Sequence, residues 1–236
     1  MITGGISDVA LIRGPFALDP APLGCEKDGQ CPFGILEDDL TFESRGGAGM
    51  FNLGIVDSNF SELGRHARLA VLAASTKTRY GFGIDKNTAL LMSETDIHAV
   101  EGKQTRFKVV GANGVLILDM QDAIVKTQAG KHQIIGLHHY LNNDDTFVFS
   151  TESQQLKFVF TENSELLSGK TLLLPSGPGE FRRNLNIHCG SRTFHRWSEN
   201  NIAWLVNPSP DTSFYLNKTA GVENCSYNNL LFGVEN

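Results

Sequence analysis

Residues 54–92 read GIVDSNFSELGRHARLAVLAASTKTRYGFGIDKNTALLM and carry the sharpest pattern in the chain. A short apolar strand, Gly54 to Val56, runs into a polar tip, Asp57-Ser58-Asn59. Leu63, Ala67, Ala70, Val71 and Ala74 then recur at spacings of three and four. That spacing predicts a helix of about four turns with one buried face. Ser58, Asn59 or Ser61 is the expected N-cap, since a hydroxyl or amide oxygen there accepts the first backbone N–H groups. Gly81 and Gly83 end the helical pattern, and Phe82 to Asp85 reads as a second strand. Lys86-Asn87 reads as a turn and Ala89 to Met92 as the returning strand. A strand, tip, helix, strand unit places functional side chains at the carboxyl edge of a sheet.

Around this unit the chain is of ordinary globular composition. Its 236 residues suit one large domain, or one domain with an extension. A net charge of −6 with no basic run excludes a nucleic-acid footprint. No apolar run approaches the length of a membrane span. Met1-Ile2-Thr3-Gly4-Gly5 lacks the basic and apolar regions of a signal peptide and reads like the middle of a domain. Four cysteines, Cys25, Cys31, Cys189 and Cys225, allow three pairings. The simplest joins Cys25 to Cys31 and Cys189 to Cys225 and implies an oxidising compartment; four unpaired thiols are the alternative. Sequons at Asn217 and Asn224 tilt the balance slightly towards an extracellular location, which otherwise stays open.

Residues 14–52, rich in Pro and Gly, read as one long loop after a short apolar segment at 6–13. Arg106 to Val110 and Val115 to Leu118 flank Gly111-Ala112-Asn113-Gly114, a hairpin signal. Further strands are expected at Gln133 to Leu141, Thr146 to Ser150 and Leu156 to Phe160. Beyond residue 150, aromatic residues sit among Asn, Ser, Pro and Gly, which suggests a β-rich segment with much loop. Gly169-Lys170-Thr171 lacks the upstream glycine of a phosphate-binding loop. The histidines show no metal-ligand spacing, and the adjacent His138 and His139 would point to opposite faces of a strand. No cofactor or metal is therefore expected.

The central stretch resembles the cyanophycinase and dipeptidase E family of serine peptidases. That family shows I-D-x-H-F-S-x-x-x-R-x-x-R-L followed by G-I-G-I-D-E-x-T-A. The matching positions here are Asp57, Phe60, Ser61, Arg65, Arg68, Leu69, Gly81, Gly83, Ile84, Asp85, Thr88 and Ala89. Phe107 to Gly111 with Gly114-Val115 is similar to a later family hairpin, and Gly136 to Leu141 to its last strand. The resemblance spans residues 1–150, with 20–50 as an insertion, and leaves 151–236 as a β-rich extension of unknown role.

It implies an α/β fold: part of a three-layer α/β/α sandwich of class I glutamine-amidotransferase type, lacking its N-terminal half. It also implies hydrolysis of aspartyl or β-aspartyl peptides by a serine, a histidine and a carboxylate. By the same resemblance the serine would lie upstream of Met1, the histidine position holds Asn59, and the carboxylate position holds Lys86. Asparagine takes no proton near neutral pH, and lysine reverses the charge that would support an imidazolium. His66 lies seven residues beyond Asn59, within the expected helix, and is a poor substitute base. Asp57, Arg65 and Arg68 are the implied substrate-binding residues, the arginines sharing a helix face and suited to carboxylates. A structural pairing of those arginines with Asp57 or Asp85 is the competing reading. The expectation is an inactive homologue or a binding module for acidic peptides; an active enzyme with its nucleophile encoded upstream is the other alternative. A half-sheet would leave an exposed edge or pair with a second copy in a homo-oligomer.

Overall fold

A computed structural model describes residues 51, 53–95, 104–128, 131–170, 177, 179–199, 202–219 and 222–235. The expectations for residues 1–50, including Cys25 and Cys31, fall outside that set. Strands β1 (Ile55–Ser58) and β2 (Tyr80–Ile84) run parallel, Ile55 opposite Gly81 and Ser58 opposite Ile84. Between them lie a 3-10 turn, Ser61–Leu63, and helix α1 (His66–Thr76). The helix is shorter than its periodicity predicts and starts later. The Ser61 N–H donates to the Asp85 carboxylate at 2.9 Å, and Gly64 turns left-handed (φ 62°) to end the 3-10 segment. Leu63 is thereby left outside the helix and exposed, and Arg65 stands at the N-cap without a side-chain cap bond. Gly83 is required by contact: a Cβ there would lie 2.3 Å from the Phe60 ring, which packs the tip onto β2.

The remaining elements are β3 (Thr88–Thr95), β4 (Gln104–Gly111), β5 (Val115–Gln128), β6 (Lys131–Leu141), β7 (Thr146–Ser150), β8 (Gln155–Val159), β9 (Ser164–Leu166), α2 (Gly179–Ile187), β10 (His195–Glu199), β11 (Ile202–Thr219) and β12 (Val222–Glu235). An eight-stranded sheet has the order β1-β2-β5-β6-β12-β11-β10, with β9 also on β11. Its β1–β2 contact is parallel and the others are antiparallel. A second, antiparallel sheet has the order β3-β4-β7-β8.

The α/β/α sandwich is therefore not the fold. The chain is mostly β, with two α-helices among the described residues. Both helices pack on one face of the large sheet, where Leu69, Leu72, Leu116, Leu118, Phe181 and Phe232 share a core. The small sheet covers the other face, through Phe82, Val115 and Ile117 against Phe107, Val109 and Phe147. The physical reason lies in the strand alternation. Phe107, Val109, Phe147 and Phe149 recur at period two, which builds a sheet layer, whereas a second helix layer needs a period near 3.6. The expected hairpin at Gly111 to Gly114 is a corner between the two sheets: β4 pairs with β3 and β7, and β5 with β2 and β6. Likewise β3 leaves β2 and joins the small sheet.

Residues beyond 150 extend the large sheet, since β12 pairs with both β6 and β11. The Cys189–Cys225 disulfide ties the end of α2 to β12, and both cysteines are fully buried. It closes a loop of 36 residues. Replacing both cysteines by alanine is expected to lower stability by about 4 kcal/mol in the chain-entropy estimate. The shift of the urea midpoint at constant m-value checks it. Asn217, read as a sequon, is buried and donates to the Asn143 carbonyl at 3.2 Å, so the folded chain does not present it to a glycan. Among the described residues no helix is long and apolar enough to cross a membrane.

Candidate functional site

The parallel pair decides where the site lies. The carboxyl ends of β1 and β2 set Ser58-Asn59 beside Asp85-Lys86-Asn87. Asn59 is exposed and left-handed (φ 49°), a conformation asparagine tolerates better than most residues. Lys86 is exposed, and its N–H donates to the Glu62 carboxylate at 2.9 Å. Asn59 and Lys86 both line a cleft of about 840 Å³ that lies between this edge and the small sheet. Val56, Ile84, Leu90 and Phe107 supply its apolar wall, and Lys86, Arg106 and Lys108 bring cationic groups to it. Lys108 also pairs with Asp144 at 2.6 Å on the surface. Among the described lining residues Asp85 is the one acid, and no histidine is present. The Ser191 to His195 contact, Oγ to Nε2 at 2.9 Å, lies outside that lining.

Asp57, Arg65 and Arg68 come together, but beneath the tip. Arg68 donates to both carboxylate oxygens of Asp57, Nε to Oδ2 at 2.7 Å and Nη2 to Oδ1 at 2.6 Å. Arg65 adds Nη1 to Asp57 Oδ1 at 3.0 Å and to the Ser58 carbonyl at 2.6 Å. Asp57 and Arg68 are 2% and 4% exposed, so this cluster is interior. None of the three residues belongs to the cleft lining. Their geometry fixes the end of β1, and with it the positions of Ser58 and Asn59.

Asp85 holds the other strand end. Its carboxylate accepts the Ser61 N–H and the Tyr140 hydroxyl. Burial pushes its pKa up, and those hydrogen bonds partly restrain the shift. Behind it the guanidinium carbon of Arg182, on α2, sits over the Tyr140 ring, 3.3 Å from its centroid, and the side chain donates to the Cys225 carbonyl at 3.1 Å. His66 and His138 flank this interior, and burial drives both pKa values well down, with Arg182 adding to the effect. Among the described residues neither ring nitrogen of His66 has a hydrogen-bond partner. His139, on the opposite face, stacks on Phe158 at 4.3 Å, and burial takes its pKa down to about 3.

Arg106 and Lys108 are functional candidates that motif reading passes over. Their signal is the alternation Arg106-Phe107-Lys108-Val109, which marks a strand with one charged and one buried face. No known family model matches the chain.

Proposed function

We propose that the β1–α1–β2 unit is a non-catalytic relative of the corresponding unit of the aspartyl-peptide hydrolases it resembles, set in a fold that is otherwise not theirs, and that the cleft holds acidic peptides without cutting them. One observation carries the reading: the cleft at the carboxyl edge of β1 and β2 is lined by Lys86, Arg106 and Lys108 and, among the described residues, by one acid, Asp85, that is buried and already hydrogen-bonded. An exposed carboxylate brought within about 4 Å of such a cation gains roughly 1–4 kcal/mol between bulk-water and near-surface dielectrics. Proton transfer is the missing function. Asn59 cannot act as a base near neutral pH, and Lys86 would oppose an imidazolium beside it. Arg65 and Arg68 serve the site indirectly, by holding the tip through Asp57.

The test is titration calorimetry with an aspartate-rich hexapeptide. A Lys86→Glu/Arg106→Glu variant is expected to bind at least tenfold more weakly, and the native affinity to fall as salt rises. The peptide should be recovered uncut. Equal affinity for the two proteins would remove the reading, and cleavage of the peptide would return the chain to the enzymes.

A further inference from the structure

The cleft runs along the edge of β3 that faces away from β4. Its lining takes in six consecutive residues, Thr88 to Ser93. Successive residues of a strand point to opposite faces. A groove on one face of the small sheet would therefore meet alternate residues only. This one meets all six of β3, and Arg106, Phe107 and Lys108 of the doubly paired β4 as well, so it reaches both faces of the small sheet on its β3 side. Two further observations agree. Among the described residues β3 pairs with β4 alone, which leaves its other edge without a neighbouring strand. The adjacent Leu91 and Met92 are both about half exposed, at 46% and 54%, which is the behaviour of a strand uncovered on its side.

We infer that an acidic peptide binds here in extended form, adding a strand to the edge of β3. The inference rests on the reading of the cleft as a site for acidic peptides and states how such a peptide is held. Main-chain hydrogen bonds to β3 supply the register, and alternate side chains supply the choice of ligand. Six residues of strand span about 20 Å, so the recognised segment is about six residues long. Side chains on one side of that segment meet the apolar wall of Leu90 and Phe107; those on the other meet Arg106 and Lys108. The pattern selected is acidic residues alternating with small apolar ones. A neutral or basic strand of equal β-propensity would lack the charge match, and Lys86 at the entrance of β3 adds to the discrimination.

A hexapeptide alternating Asp and Val tests this, with two isomers N-methylated at odd or at even backbone positions. One edge of a strand donates only alternate N–H groups. One isomer is expected to bind at least tenfold more weakly, and the other like the parent. Alternate amides of Thr88–Thr95 should exchange at least tenfold more slowly in the complex. If both isomers bind like the parent, β3 exchange is unchanged, and Lys86→Glu/Arg106→Glu still weakens binding, the peptide is held by side chains alone. The strand-addition inference then fails while the acidic-peptide reading stands. No binding of the parent peptide would remove both. Concentration-dependent protection of β3 without peptide would assign the edge to a second copy of the chain and overturn the inference.

Discussion

Asp57→Ala is expected to lower stability by about 3–5 kcal/mol, because it removes the carboxylate that a buried guanidinium holds through two nitrogens. Arg68 is 4% exposed and places two nitrogens on the Asp57 carboxylate, at 2.6 and 2.7 Å. Water cannot replace that carboxylate without opening the junction of β1 and α1. Arg65 is different: its side chain is 22% exposed, and without Asp57 it keeps the Ser58 carbonyl as an acceptor. Arg65→Ala should therefore cost about 1 kcal/mol or less, as partly solvated pairs do. Asp57→Asn keeps acceptor capacity but removes the charge, and should fall between the two. Urea unfolding of the three variants at neutral pH gives the comparison. If Asp57→Ala costs under about 1 kcal/mol, Arg68 reaches solvent in the folded chain and the cluster is not the anchor of the tip.

That ordering shows what the sequence makes visible and what it hides. The strand, tip, helix and strand of residues 55–84 were legible because apolar periodicity changes from two to 3.6 and back within a short span. The adjacent histidines also follow strand geometry: His138 lies among Phe181, Tyr227 and Phe232, and His139 faces Phe158. Sheet membership was not legible. Gly111 to Gly114 has the composition of a hairpin turn, but Asn113 N–H and Nδ2 bond to Thr88 Oγ1 and the Lys86 carbonyl, which turns the corner towards the other sheet. A contact across 25 residues leaves no local trace. The use of the arginines was hidden for the same reason. Their spacing on α1 says that they share a face and says nothing of whether Asp57 or a ligand receives them. Arg182 sits in a sequence of polar helix character, yet it is 1% exposed, sealed between α2 and the rings of Tyr140 and Tyr227.

Acidification from pH 7 to pH 5 is expected to lower the folding stability by several kcal/mol. His66, His138 and His139 are buried, and in each case burial is the first cause of a lowered pKa. The unfolded chain has ordinary histidines near pH 6.5. Below that pH the unfolded state binds protons that the folded state refuses, so stability falls as pH falls. For His139 the loss continues down to its folded value of about 3. Each group contributes about 1.4 kcal/mol per pH unit once the pH is below its unfolded value, so three together reach on the order of 4 kcal/mol per unit. Against a total stability of roughly 5–15 kcal/mol, that slope governs the fold. Asp85 and Asp145 act in the opposite sense, because burial raises both, but they are two groups and their gain sets in only as they protonate. His188 and His195 shift downward as well, yet they lie partly in solvent and add little. Urea midpoints at pH 7, 6 and 5 measure the slope. His66→Phe separates burial from a general acid effect, since the ring lies 4.5 Å from Phe60 and 3.9 Å from Phe181 and its nitrogens have no partner among the described residues. The variant should match or exceed the native protein at pH 7, because no hydrogen bond is lost. Its slope below pH 6 should drop by about a third, one titrating group of three having gone. A native stability that stays level from pH 7 to 5 would mean that these imidazoles take up protons in the folded state, and would remove the sealed interior from this account of the fold.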